Sequence, residues 1–307
     1  MIEATKIYDY DSFMNASKEV ETHFKDAHQG ALARESLVAT TKGLHIYMPS
    51  KMTLLNLGID VDNTGGYANK IRSLRMVGTG GFVEVGTSST TQGRIGVDGD
   101  YSELLVKGYE AESLYTDTEI GQAQMERRNL YKELVGVHQK KYIEAIDKLG
   151  YETLIKTKDF DKQDVGKKWD DMTDEEVYKL LKDGIVAQQS NVSDAYYADT
   201  IVLDPKGYMR VHSSDYKANT DLTIAEKLNR DLGIKFKVSF RLKGKTKSTA
   251  LILNTGAESL IIRIPQRLKI SKVYNIGSKH GFDSGFRVAG VDVLEEGSGF
   301  RLENILN

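Results

Sequence analysis

Apolar and polar positions alternate between the glycines that crowd residues 58–108. A period of two is typical of β-strands, and glycine is common in the turns that join them. The pattern therefore predicts a long, thin β ribbon over residues 70–107. The apolar positions that we expect to mark this ribbon, and to contact other subunits, include Met76, Phe82, Val83, Val85, Ile95 and Val97.

A helical period replaces this alternation at about Thr118. Apolar residues then recur at helical spacing from Ile120 to Val137, with further apolar positions on the flank as far as Leu149. The stripe predicts one continuous helix over residues 118–149, and Gly150 follows it as a suitable C-terminal cap. At 1.5 Å per residue, roughly thirty residues form a rod of about 45 Å. Such a rod would organise the elements around it.

The remainder of the chain predicts a mixture of helices and strands. Thr173 and Glu176 have the spacing of a capping box, which places a helix over about 174–189. A strand at 199–203 ends in a turn at Pro205, and a short helix near 221–231 ends at Gly233. These elements indicate the α+β class. Strand patterns follow at 235–242, 249–254, 259–264, 268–274, 286–294 and 300–305.

Composition excludes several classes of protein. The chain has 307 residues, of which 40% are hydrophobic and 28% charged, so it is long and apolar enough to fold. Lys and Arg number 42 against 44 Asp and Glu, and a net charge of −2 provides no general attraction for nucleic acid or membranes. The absence of cysteine removes disulfides and thiolate chemistry. Acids near the start and the lack of a long apolar run predict a soluble, cytosolic product.

No group of residues predicts catalysis, a cofactor or a metal. Residues 78–81 read Gly-Thr-Gly-Gly, but strand alternation follows them where a phosphate-binding loop needs a helix. The six histidines include no pair at i, i+4 spacing. Acids at 170–171 and 175–176 fit helix starts, and Trp169 fits a packing role. A structural role is favoured for each.

One basic run stands out between two strand patterns. It comprises Arg241, Lys243, Lys245 and Lys247 around a glycine. Charges at a hairpin tip usually face water, and contact with nucleic acid is the less favoured alternative.

Two segments are difficult to stabilise within one subunit. Residues 1–45 show no sustained period, and together with the ribbon they offer too little apolar surface for cores of their own. Large interfaces between subunits could supply the missing burial. The chain is therefore predicted to belong to a larger assembly, with Phe13 and Phe24 as further contact candidates in the arm.

The order of these segments resembles the major capsid proteins of tailed double-stranded DNA bacteriophages, which have the Hong Kong 97-type fold. Residues 94–99 (RIGVDG), 106–109 (VKGY) and 115–120 (YTDTEI) look like the return of an extended loop into a spine helix. Residues 198–208 (ADTIVLDPKGY) look like the strand and turn that open the axial domain, and residues 286–293 (FRVAGVDV) like the closing strand. The likeness covers about residues 60–307.

The resemblance implies a division of the chain and a set of partners. It places an N-terminal arm at 1–45, entry to a peripheral domain at 46–69, an extended β-hairpin loop at 70–107, and the peripheral domain with its spine helix 118–149 at 108–194. The axial domain follows at 195–270 and return strands at 271–307. It also implies pentamers and hexamers, a separate scaffolding protein, a portal, weak non-specific contact with packaged DNA, no cofactor, no membrane, and assembly in the host cytoplasm into a virion capsid.

Three alternatives stay open at this point. An encapsulin-like bacterial nanocompartment shell would share the same fold but enclose cargo enzyme. An enzyme is disfavoured because no acid–base pair, nucleophile or cofactor loop is evident. A carbohydrate-binding or tail-associated β protein is disfavoured by the long helix.

Overall fold

The computed structural model describes residues 53–80, 95–190, 197–217, 220–243 and 247–306. Within them helices and strands mix along the chain, which confirms the α+β class. The helices are α1 (Asp117–Met125), α2 (Leu130–Lys156), α3 (Asp174–Ser190), α4 (Pro205–Ser213) and α5 (Ile224–Leu232). The strands are β1 (Asp60–Asp62), β2 (Lys70–Gly80), β3 (Ile95–Leu105), β4 (Lys107–Thr116), β5 (Asp161–Asp164), β6 (Thr200–Leu203), β7 (Lys235–Val238), β8 (Lys247–Leu253), β9 (Leu260–Arg263), β10 (Gln266–Ile270), β11 (Tyr274–Ile276), β12 (Lys279–Val288), β13 (Gly290–Val293) and β14 (Gly299–Leu306).

The strands form four sheets in the described residues. β2 and β3 pair only with each other, as an antiparallel ribbon. β12 pairs with β4 along one edge and with β10 and β11 along the other. A three-stranded sheet has the order β1-β9-β13, and a five-stranded sheet has the order β5-β14-β8-β6-β7. Each of the three sheets with more than two strands brings together strands that are distant in sequence.

Two main hydrophobic cores hold the body together. The first lies between α2 and strands β8, β9, β12 and β13, and includes Ile146, Leu154 and Phe286. The second lies between α3, α4, α5 and the five-stranded sheet, and includes Leu181 and Leu302. The second core therefore takes in α3 and β14, which the predicted division assigns to segments outside 195–270. The structure places these two elements by their packing, not by their position in sequence.

The prediction of one helix over 118–149 is correct at its start but wrong in the middle and at its C-terminal end. The chain leaves the helix after Met125, Arg127 has a φ of +55°, and the Asn129 side chain accepts the backbone N–H of Lys132 to start α2. Both helices contact one small cluster that contains Ile120 and Tyr131, so the apolar period continues across the break. Periodicity alone could not reveal the interruption.

Gly150 does not end α2, contrary to the prediction. The helix continues to Lys156, and the buried Arg301 side chain donates to the carbonyl of Ile155 in its last turn. Gly150 instead permits close approach: a Cβ atom there would lie 2.1 Å from Cδ2 of Leu54, which is fully buried. The absence of a side chain at Gly150 therefore permits Leu54 to pack against the helix.

Substitution of Gly150 tests this interpretation. Alanine favours a helix by about 1 kcal/mol over glycine, but overpacking against Leu54 costs about 1–3 kcal/mol. We therefore expect Gly150→Ala to lower the free energy of unfolding, measured by urea denaturation. Gly136→Ala is the matched control, because its added Cβ would lie within 4 Å of no atom outside its own turn of helix, and we expect it to raise stability. Stabilisation by both variants would contradict the packing role.

The structure confirms some of the other sequence predictions and corrects others. α3 and its capping box are confirmed, since Glu176 N–H donates to Thr173 Oγ1 and the Glu176 carboxylate accepts the Thr173 N–H. Trp169 is buried in the second core, and Gly233 follows α5 as its C-cap. The turn expected at Pro205 is the first turn of α4, which Asp204 caps. That helix was not predicted from the sequence.

Several predicted strands have different limits. The pattern at 235–242 is a strand only to Val238, after which the chain forms a 3-10 turn. The pattern at 268–274 divides into β10 and β11, which pair one after the other with the same edge of β12. The pattern at 286–294 divides at Ala289, because Gly290 has a φ of +106° and the chain then joins another sheet. The alternation of apolar and polar residues in the sequence continues through such bends.

His138 is a buried polar residue between α2 and the β4–β12 pair. Its Nε2 lies 2.7 Å from Ser113 Oγ, its Nδ1 lies 2.5 Å from Ser284 Oγ, and the ring packs against Phe282. A neutral ring can donate to one serine and accept from the other. Burial lowers the pKa of His138 below its ordinary value of 6.5. The fold thus favours the neutral ring.

Because the folded state favours the neutral His138 ring, the free energy of unfolding should decrease as the pH falls. The unfolded state binds the proton more readily, so stability falls as pH drops below about 6.5. We expect the free energy of unfolding to decline more steeply between about pH 7 and 5.5 in the wild type than in His138→Gln. Urea titrations at each pH measure the difference, and parallel curves for the two proteins would contradict the assignment.

Candidate subunit interface

The ribbon of β2 and β3 forms a sheet of its own, separate from the other sheets of the described residues. Its strands pair in continuous register from Lys70–Leu105 to Gly80–Ile95. This confirms the predicted ribbon in the described residues. Five contact candidates lie outside the described residues: Phe82, Val83 and Val85 in residues 81–94, and Phe13 and Phe24 in residues 1–52.

Large apolar side chains of the ribbon are exposed to solvent. Leu74 and Tyr101 face each other across the strands and are 50% and 62% exposed, and Leu105 is 65% exposed. Ile95, a contact candidate, is 59% exposed at the far end of the described ribbon. Met76 pairs with Gly99 and Val97 pairs with Gly78 in the backbone register. Sequence reasoning did not include Leu74, Tyr101 or Leu105 among the contact candidates.

A buried carboxylate fixes the root of the ribbon to the body. Asp292 on β13 is 1% exposed and accepts hydrogen bonds from Ser73 on β2 and Ser102 on β3, the latter at 3.0 Å. Arg263 on β9 donates to Asp292 at 3.1 Å and to Ser73 at 2.8 Å, and also contacts Asp62. One carboxylate thus holds both strands of the ribbon against the three-stranded sheet.

A second ion pair supports the same root. Arg75 donates to both carboxylate oxygens of Asp159, at 2.7 and 3.1 Å, and to the carbonyl of Val293. Burial by itself would raise the pKa of Asp159, but hydrogen bonds from Arg75 and Thr157 lower it overall. The Arg75 side chain is only 14% exposed. Together with Asp292, this pair orients the ribbon, while its outer face stays open.

The sheet of β4, β12 and β10 presents an acidic groove of about 700 Å³ on the side away from α2. Glu110 and Glu112 line it from β4, Asp283 from β12, and Lys269 from β10. The Tyr274 hydroxyl lies 2.8 Å from a carboxylate oxygen of both Asp283 and Glu112 and can donate to either, and these contacts raise the pKa of the phenol. Negative charge therefore dominates this face.

The basic run and the glycine-rich motif noted in the sequence belong, where they are described, to ordinary structural elements. Arg241 contacts Asp147 and Glu144 on α2, and the centre of the basic run, residues 244–246, lies outside the described part of the chain. Gly78 and Gly80 lie within β2. Among the described residues no cluster of three or more side chains has the composition of a metal site. None of the described helices is sufficiently long and apolar to cross a membrane.

The fold is shared with solved shell proteins. The chain aligns with the capsid of Myoviridae phage XM1 at a TM-score of 0.75 and 26% identity, over 90% of this chain and 99% of the phage chain. The chain has the Hong Kong 97-type capsid fold. The mature capsid of bacteriophage PhiM1 shares this capsid fold at a TM-score of 0.61 and 12% identity, over 89% and 92% of the two chains.

A shell of another origin has the same capsid fold. The virus-like particle from Pyrococcus furiosus aligns at a TM-score of 0.56 and 14% identity, over 81% of this chain and 91% of the other. No protein-family model matches the sequence, and no curated protein matches it. The capsid fold is therefore recognised through its three-dimensional arrangement.

Proposed function

We propose that this protein is the structural subunit of an icosahedral phage capsid, which forms pentamers and hexamers that enclose the double-stranded DNA genome. The observation that supports this proposal most directly is the alignment with the phage XM1 capsid over nearly the whole of both chains. The exposed apolar ribbon supports the same proposal, because Leu74 and Tyr101 leave apolar area that an interface would bury. The role is structural, and no residue is assigned to catalysis.

We propose that each of the two hydrophobic cores belongs to a separate domain with its own role in the shell. The body around α2 and the β4–β12 sheet forms the peripheral domain, and α2 is its spine. The body around the five-stranded sheet forms the axial domain at the local symmetry axis, with α3 and β14 as members because they pack in its core. The ribbon is the extended loop that reaches a neighbouring subunit, and residues 1–45 are an arm with the same task.

The partners follow from this role. We propose that the subunits assemble in the host cytoplasm with a separate scaffolding protein and a portal, and end in the virion capsid. Packaged DNA would contact the wall weakly and without sequence preference. The near balance of 42 basic and 44 acidic residues supports that view, since a strongly basic wall would hold the genome tightly.

Electron microscopy of the purified protein tests the proposal. Expressed alone and with its scaffold, the wild type should form closed icosahedral shells. Only monomers under every assembly condition would contradict the proposal.

A second candidate is a nanocompartment shell of the encapsulin type, favoured by the shared fold of the Pyrococcus furiosus particle. The contents of particles from the native source discriminate the two functions. We expect nuclease-protected double-stranded DNA of genome length. A protein cargo without DNA would instead support the nanocompartment.

A further inference from the structure

Basic residues gather where α2 meets the edge of the five-stranded sheet. Strand β7 is the outer strand of that sheet, and the 3-10 turn Phe240–Leu242 follows it. Arg241 in this turn lies 3.6 Å from Glu144 and 3.4 Å from Asp147, both on α2. These contacts bring the start of the basic run against the helix. We call this region the basic junction and define it by six residues: Lys140, Lys148, Lys235, Lys237, Arg241 and Lys243.

Two lysines of α2 flank the Arg241 contact. Lys140 and Lys148 lie four residues before and after Glu144, about 6 Å along the helix axis in each direction, so the three share one face. Lys141 also pairs with Glu144, at 2.9 Å. The hydrogen bond from Lys141 lowers the pKa of Glu144, and Arg241 adds to this effect. Glu144 therefore already has two cationic partners, and it offers little compensation for Lys140 and Lys148.

Two more lysines come from β7, on the same side of the sheet. Lys235 and Lys237 pair in register with Thr200 and Val202 of β6, and Val202 belongs to the first core, which α2 covers. Side chains two residues apart on a strand share a face and lie about 7 Å apart. Both lysines therefore lie on the α2 side of β7. Lys243 follows the 3-10 turn and is exposed.

The open edge of β7 adds backbone donors to this surface. The N–H of Lys235 donates inward, to the carbonyl of Asp199 beside β6, at 2.8 Å. Successive residues of a strand direct their N–H groups to opposite edges, so those of Phe236 and Val238 face away from the sheet. Lysine side chains and backbone N–H groups are both donors that proteins use towards phosphate. The junction thus combines positive charge with an open row of donors.

We infer that the basic junction is a binding site for the sugar-phosphate backbone of duplex DNA. Its charge is local, because basic residues outnumber Glu144 and Asp147 here, whereas the chain as a whole has a net charge of −2. Asp147 is buried and already accepts the N–H groups of Thr53 and Leu54. The choice of DNA over another polyanion rests on the proposed function, in which the shell encloses a genome. Such donors contact phosphates without reading bases, so binding is independent of sequence.

Salt-dependent binding of DNA tests the site. The full-length subunit, at a concentration where sedimentation shows no shells, is titrated against a fluorescent duplex between about 50 and 200 mM salt. Each lysine that contacts phosphate contributes about one to the slope of log affinity against log salt. We expect Lys148→Gln, Lys235→Gln with Lys243→Gln to make that slope shallower by about three and to weaken binding at least about tenfold at the lower salt. A second duplex of different sequence should show the same change.

The matched control removes three positive charges elsewhere. Lys168, Lys179 and Lys182 are exposed like the three test lysines, and lie on α3 or shortly before it. Changing all three to glutamine gives the same net charge as the test variant. We expect the slope of this control to stay within about one of the wild-type slope. Circular dichroism checks that both variants are folded.

A footprint on wild-type particles gives a readout that needs no variant. Lysines are acetylated with an N-hydroxysuccinimide ester in DNA-filled particles and in particles emptied of DNA, and mass spectrometry measures the modification at each position. We expect Lys148, Lys235 and Lys243 to react at least about threefold more slowly in the filled particles, because bound phosphates cover them. Lys179 and Lys182 should react equally in both.

Three results would overturn the inference. Equal loss of slope in the test and control variants would mean that only total charge matters. Tighter binding of polyglutamate than of the duplex at the same salt would indicate an acidic protein partner. Equal acetylation of the three test lysines in filled and emptied particles would show that they do not contact the genome. Absence of wild-type shells, together with duplex binding at the junction, would instead overturn the proposed function and leave the DNA site standing.

Discussion

Asp292→Ala should destabilise the subunit by about 3–5 kcal/mol, the usual cost of removing one partner from a buried ion pair. Asp292 is 1% exposed and is the acceptor for Ser73, Ser102 and Arg263. Its loss leaves the Arg263 side chain, which is 12% exposed, with Asp62 as its remaining carboxylate partner. Two hydroxyls at the root of the ribbon also lose their acceptor. The variant should therefore unfold at a lower urea concentration.

The ribbon should lose its orientation in the same variant. Hydrogen exchange of the backbone amides in β2 and β3 should become faster, because the body no longer holds both strands. Glu103→Ala is the control: this carboxylate pairs with Lys70 and Arg72 on the exposed face, where ion pairs contribute little to stability. Equal unfolding curves for Asp292→Ala and the wild type would contradict the anchoring role.

Leu74→Asp combined with Tyr101→Asp should abolish shell assembly while the subunit stays folded. Both side chains are at least half exposed, so the substitution costs the isolated subunit little. In an interface, the two carboxylates would be buried without partners, and that penalty recurs at every contact of a closed shell. We expect particle yield to fall at least about tenfold by sedimentation, with unchanged circular dichroism.

A conservative pair of changes controls for specificity. Leu74→Met with Tyr101→Phe preserves apolar area at both positions, so assembly should proceed as in the wild type. Normal shells from the double aspartate variant would show that this face of the ribbon stays in solvent. Loss of folding in that variant would contradict the exposed placement of the two side chains.

The sequence predicts the order of the elements better than their limits. Alternation with glycine predicted the ribbon, since few long-range contacts are needed to define an isolated hairpin. The single helix over 118–149 failed because Ile120 and Tyr131 contact the same cluster on either side of the break at Arg127. The sequence predicts a cap at Gly150, but the reason for this glycine is tertiary: it contacts Leu54, almost a hundred residues earlier.

The sequence also could not predict the residues that anchor the ribbon at the candidate interface. Asp292 and Arg263 meet only because β9 and β13 are neighbours, and the two serines that join them come from the distant ribbon. One local signal was present: Asp292 interrupts an otherwise apolar strand between Val291 and Val293. A buried acid in such a position demands partners, but the sequence does not say which.

Cryo-electron microscopy of assembled particles tests the central claim most directly, which is that the ribbon finds its main support on another copy. We expect density for residues 70–80 and 95–105 to lie across the adjacent subunit, with Leu74 and Tyr101 buried by it. Shells in which the ribbon folds back on its own subunit, or a particle-free protein that is stable and compact with the ribbon bare, would contradict the account.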